Sequence, residues 1–160
     1  MSARPSARID VDAPLDVVWQ VMLDTAAYGE WNPFVYRVEC PSPARVGDPI
    51  TLHVRWANGR TTSSPERITA IEPPHDDGAG RAAMLAYAYE GLPDRLGLVH
   101  SVRYQRLTQA PGGPTVYDTV QDLTGPMVRF AGPARIVDGF ERHAEGLKQR
   151  AEHLASHHEP

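Results

Sequence analysis

Cysteine is nearly absent from this chain of 160 residues: Cys40 stands alone, so neither an internal disulfide nor a cysteine-rich metal centre can be built. Lysine is just as scarce, with Lys148 against fifteen arginines, and the net charge of −4 gives no basic footprint for nucleic acid or an anionic membrane surface. No run approaches the roughly 20 apolar residues that cross a bilayer, and the first residues lack a hydrophobic signal core. That predicts a cytoplasmic protein without membrane insertion. Also missing are a Gly-x-Ser-x-Gly elbow, a phosphate-binding glycine loop and a dinucleotide fingerprint, which removes the commonest nucleophile and nucleotide chemistries. Hydrophobic residues at 41% and charged residues at 22% are ordinary globular values. The length suits one domain, residues 1–160, with a core from about 7 to 155.

What the chain does have is a cluster of aromatics at Tyr28-Gly29-Glu30-Trp31-Asn32-Pro33-Phe34-Val35-Tyr36. Before it, residues 7–12 alternate polar and apolar side chains as a strand does, with Ile9 and Val11 on one face. Pro14 suits the first turn of a helix, where its missing N–H costs nothing, and Leu15, Val18, Trp19 and Met22 follow at helical spacing. A second short helix over 26–31 is stopped by Pro33, because proline disfavours helical geometry in the residue before it. Strand-like segments then run over 35–39, 49–57, 66–72, 82–90, 98–108 and 115–123. Turn chemistry at Asn58-Gly59, Glu72-Pro73-Pro74 through Gly80, Gly91 to Gly97 and Pro111-Gly112-Gly113-Pro114 separates them into a meander. Residues 133–155 carry Ile136, Phe140, Ala144, Leu147, Ala151 and Leu154 at steps of three or four, a helix that must lie across the sheet. The polar tail from Ser156 is expected to fray.

Several segments also resemble a known family in their wording. Ala13-Pro14, Val18-Trp19, Trp31-Asn32-Pro33-Phe34, Val46-Gly47, Ile71-Glu72-Pro73 and Leu123-Thr124-Gly125-Pro126, in that order, look like the signposts of the START-like, Bet v 1-like (SRPBCC) superfamily. Its polyketide cyclase/dehydrase and lipid-transport branch is the nearest in pattern. The resemblance implies an α+β helix-grip fold: a curved seven-stranded antiparallel sheet wrapped around a long C-terminal helix, with two short helices after the first strand. It further implies a cavity between sheet and helix for a hydrophobic or aromatic small molecule. Membership leaves open whether that molecule is transformed or only held.

Strand periodicity nominates the groups that face such a cavity. Ile50, Leu52, Val54 and Trp56 form an apolar set, which sends His53 and Arg55 outward; Trp56 either lines the pocket or fills the core. In strand 82–90 either face can turn inward, and Tyr87 and Tyr89 are the more useful set. In strand 98–108, His100 and Tyr104 flank Val102 and are placed on its inward face, where a histidine can exchange a proton near neutral pH or simply be hydrogen-bonded within the sheet. Tyr117, Thr119, Gln121 and Leu123 share one face of the last strand; relatives carry a carboxylate where Gln121 stands, and an amide is no general base. Asp118 and Asp122 point to solvent. Met127, Phe130 and Phe140 either cap the pocket or pack the core, while Trp31, Phe34 and Tyr36 form its wall.

Three functions follow as expectations. The first is a binding or carrier protein for a hydrophobic or aromatic molecule. The second is a polyketide cyclase, aromatase or dehydratase with His100, Tyr104 and Tyr117 as catalytic groups and Tyr36, Tyr87 and Gln121 orienting. The arginine that some aromatases of the branch use has Arg67 as its nearest candidate. The third is a protein-interaction module, which would need an extended exposed apolar patch that the sequence does not display. No cofactor is expected. No metal site is either, since His153, His157 and His158 sit in a polar tail without paired carboxylates. The expected assembly is a monomer or homodimer.

Overall fold

A computed structural model describes residues 1–157. Its strands are β1 (Ser2–Ala3), β2 (Ser6–Val11), β3 (Val35–Glu39), β4 (Pro49–Arg55), β5 (Thr61–Asp76), β6 (Arg81–Tyr89), β7 (His100–Gln109) and β8 (Thr115–Thr124). The helices are α1 (Leu15–Leu23), α2 (Tyr28–Trp31), α3 (Leu92–Arg95) and α4 (Pro133–Ser156), with 3-10 turns at Thr25–Ala27 and Val128–Ala131. All pairings are antiparallel, in the order β1-β8-β7-β6-β5-β4-β3, with β2 also on β8. Ser2 lies opposite Thr124 and Ser6 opposite Val120, so β1 and β2 run end to end along one edge of β8. The result is a seven-position curved sheet around a long C-terminal helix, the helix-grip arrangement.

Strand β5 outruns its expected bounds of 66–72. The Pro73-Pro74 pair is not a turn, and the strand continues through it to Asp76. Neither proline can donate to a ladder, and a register shift between Glu72 and His75 absorbs them. Beyond Arg67, β4 no longer pairs with β5, so one side of this stretch is an open edge where proline is tolerated. The Gly91–Gly97 turn likewise contains the single-turn helix α3.

Helix α4 closes the concave face, and three of its residues explain how. Gly139, His143 and Gly146 fall at steps of four and three, and therefore on one side of the helix. A Cβ on Gly139 would stand 2.5 Å from the Phe34 ring, and one on Gly146 would stand 2.6 Å from the Trp31 carbonyl oxygen. Between them, Asn32 reaches His143. Arg142 adds hydrogen bonds of 3.0 Å from its guanidinium to the Pro33 and Arg55 carbonyls. Trp31-Asn32-Pro33-Phe34 is thus a key that fits a notched helix face. Gly146→Ala tests this directly. A helical glycine replaced by alanine normally gains up to about 1 kcal/mol, whereas overpacking costs about 1–3 kcal/mol. We expect a net loss of about 1 kcal/mol or more by urea unfolding, and a gain would show that the close approach is unimportant.

Candidate functional site

Behind this key the sheet and α4 leave a cavity of about 420 Å³, within the range of small-molecule sites. One wall is aromatic. Trp56, Phe34 and Phe140 follow one another edge to face, with centroids 5.4 and 6.2 Å apart. Leu52, Val54, Leu123 and Ile136 extend the apolar lining, and Pro93, Leu98, Met127 and the largely exposed Phe130 frame the mouth. Arg135 lies over the Trp56 ring there, 4.4 Å from its centroid.

The opposite wall is polar and comes from the sheet: Ser64 and Glu66 on β5, Ser101 and Arg103 on β7, Gln121 on β8. Glu66 is 8% exposed and accepts a hydrogen bond of 2.9 Å from the Ser64 hydroxyl. Burial pushes its carboxyl pKa up to about 7, against the smaller opposing pull of Ser64 and of the Arg103 charge. Arg103, 4% exposed, stacks its guanidinium on Phe140 at 4.2 Å. It donates to the hydroxyls of Thr119 (2.9 Å), Tyr87 (3.3 Å) and Tyr117 (3.4 Å). Gln105 locks the two tyrosines, donating to Tyr87 Oη at 2.9 Å and accepting from Tyr117 Oη at 2.6 Å. Beneath them His143 lies parallel to the Tyr117 ring, centroids 5.9 Å apart. Burial, aided by the Arg103 charge, drives its pKa well below the usual imidazole value, so the ring is neutral.

The expected site residues divide into three groups. Phe34, Trp56, Tyr89, Gln121, Leu123, Phe130 and Phe140 line the cavity. Tyr87, Tyr117 and Thr119 are buried beneath it as partners of Arg103, and Trp31 packs edge-on against Tyr28 and His143. Tyr36, His100 and Tyr104 stand elsewhere. Tyr36 is on the outer face of the sheet under Arg55 and beside His53. His100 is exposed and bonded to Asp94 at 2.6 Å, and Tyr104 lies under Arg106. The parity of β7 is the reverse of the expected one: Ser101, Arg103, Gln105 and Leu107 face inward, and the set with Val102 faces out. Arg67 also points outward, paired with Glu90 and the Gly47 carbonyl. The inward arginine is Arg103.

Glu66, Arg103, Gln105 and His143 were not anticipated. Glu66 had a legible signal, since Ile68 two residues on is apolar and shares its face. For β7 the signal was ambiguous, because each face carries one arginine and one aliphatic residue among other polar side chains. Of the histidine tail, His153 and His157 lie with centroids 4.2 Å apart, and His158 falls outside the described residues. No helix of the described residues is long and apolar enough to cross a membrane.

Residues 2–152 match the family model for polyketide cyclase/dehydrase and lipid transport. The chain belongs to this family. Its fold is similar to that of the ZhuI aromatase/cyclase from Streptomyces sp. R1128, at TM-score 0.72 and 20% identity, covering 95% of this chain and 94% of that one. Major latex-like protein 151 from Panax ginseng superposes at TM-score 0.68 and 12% identity over 99% of both chains. A norcoclaurine synthase point mutant from Thalictrum flavum, in complex with a transition-state analogue, gives TM-score 0.66 and 14% identity over 96% of each. No curated protein matches the sequence. These superpositions show a shared fold, and family membership supports its being a hydrophobic ligand-binding one.

Proposed function

We propose that this family member binds a hydrophobic or aromatic small molecule in the cavity between its sheet and α4. The observation that carries the reading is the 420 Å³ space with an aromatic wall facing a short polar strip. Apolar burial supplies affinity, and the polar strip sets orientation. Binding of 2-naphthol, followed by calorimetry, tests it. Val54→Trp and Ser64→Phe, which fill the cavity from two different strands, are each expected to weaken binding at least tenfold while leaving a cooperative thermal transition. If the probe binds both variants as well as the unaltered chain, the cavity is not its site.

One observation favours catalysis as a second reading. Glu66 is a buried carboxyl that titrates near neutral pH at the cavity wall, which suits a general acid–base group. In a cyclase or dehydratase role Glu66 would exchange a proton with the substrate while Arg103 holds an oxygen atom. Glu66→Gln would then lower turnover of a reactive poly-β-ketone by about a hundredfold or more. His100→Phe and Tyr104→Phe would leave it unchanged, because both side chains lie outside the cavity. Equal turnover in the Glu66→Gln variant would leave the carrier reading alone.

A further inference from the structure

Arg103 is a permanent cation buried at the cavity wall, and its hydrogen bonds all go to neutral hydroxyls. Among the described residues no carboxylate lies within ion-pair distance of it. The carboxylate that acts on it from farther off is Glu66, on the same cavity wall. A guanidinium has five N–H groups. Three are used here, one on each nitrogen, which leaves one N–H on each of the two terminal nitrogens. Those two N–H groups remain for an anion such as a carboxylate to accept from, in charge-assisted bonds.

We infer that the cavity takes an apolar or aromatic ligand ending in a carboxylate, seated on Arg103, and that its arrival transfers a proton from solvent to Glu66. The inference rests on the proposed binding role and specifies the ligand class. Its proton balance is simple. An ionised Glu66 serves as distant counter-charge to Arg103 in the free protein; the ligand carboxylate replaces it, and Glu66 becomes a neutral acid by taking up one solvent proton.

No other group facing this space competes for that proton. Tyr87 and Tyr89 of β6 and Tyr117 of β8 are all held neutral, their ionisation pushed up chiefly by burial. His143 of α4 is held neutral by burial and by Arg103 itself. Arg135 lies at the mouth, over the Trp56 ring. Glu66 is the group poised to change.

The test is calorimetry with 2-naphthoate and its neutral isostere 2-naphthamide at pH 8, each in phosphate and in Tris, whose ionisation heats differ. Naphthoate is expected to bind at least tenfold more tightly and to take up close to one proton, while naphthamide takes up none. In Glu66→Gln the preference for naphthoate should persist with no proton uptake. In Arg103→Met the preference should vanish. Naphthamide binding as tightly as naphthoate in the unaltered protein would overturn the inference and leave the cavity reading standing. Proton uptake that persists in Glu66→Gln would overturn the assignment to Glu66. If neither naphthalene binds, both the inference and the cavity reading fall.

Discussion

Glu66→Gln is expected to stabilise the protein by about 3 kcal/mol at pH 8 and to change it little at pH 4. A carboxyl whose folded pKa is about 7, against an ordinary 4.5, binds its proton more tightly in the native state than in the unfolded chain. Between those two values the native state carries the extra proton, so stability falls as pH rises across the window and is flat above it. Each unit is about 1.4 kcal/mol, which sets the size. His143 acts with the opposite sign. Its folded pKa lies well below the ordinary 6.5, so the unfolded chain takes up a proton first and stability falls as pH drops below that value. The unaltered protein therefore has two opposing slopes, which partly cancel between pH 4.5 and 6.5. Removing the Glu66 limb should leave stability that rises with pH and then levels off. Urea unfolding of both proteins at pH 4, 6 and 8 measures the difference, and a gap that is the same at all three values would sink the assignment.

Much of the fold was legible because it is written in periodicities that the backbone enforces. The strand bounds of β3, β6 and β8, the amphipathic stripe of α1 and the long α4 follow from alternation or from steps of three and four. The cavity wall from Phe34, Trp56 and Phe140 was legible for the same reason, since apolar faces identify themselves. What escaped was the polar wall. A strand with Ser-Val-Arg-Tyr-Gln-Arg-Leu offers two nearly equal faces, and only its pairing, with Arg103 opposite both Tyr87 and Gln121, decides which is inward. The face with Val102 carries His100 and Tyr104 outward, and Arg103 turns inward. A buried arginine also defies the expectation that charges lie outside. It is tolerated here because β6 and β8 each place a tyrosine or threonine hydroxyl within reach and α4 supplies Phe140 beneath it. Such a neighbourhood arises from three strands and a helix at once, and no local pattern encodes it.

Asn32→Ala carries the largest expected loss, about 4 kcal/mol, though its side chain is not part of the cavity lining. Asn32 is 4% exposed, and its Oδ1 accepts from the backbone N–H groups of Phe34 (3.0 Å) and Val35 (2.9 Å). Those two bonds fix the amide orientation, so Nδ2 is the donor toward His143 Nδ1 at 3.0 Å. The neutral imidazole must then carry its proton on Nε2, which has no hydrogen-bond partner among the described residues. Alanine would strand two buried N–H groups and a ring nitrogen, each costing about 1–3 kcal/mol. It would also release the key that Gly139 and Gly146 receive. Asn32→Asp separates these contributions. The carboxylate keeps both backbone bonds but offers His143 an acceptor instead of a donor, so the ring must move its proton to Nδ1 or take up a second one. The aspartate variant should thus lose less than alanine, lose least at acid pH, and raise the His143 pKa seen by NMR titration. Equal losses for the two variants at every pH would mean that the amide neither orders the start of β3 nor sets the histidine tautomer.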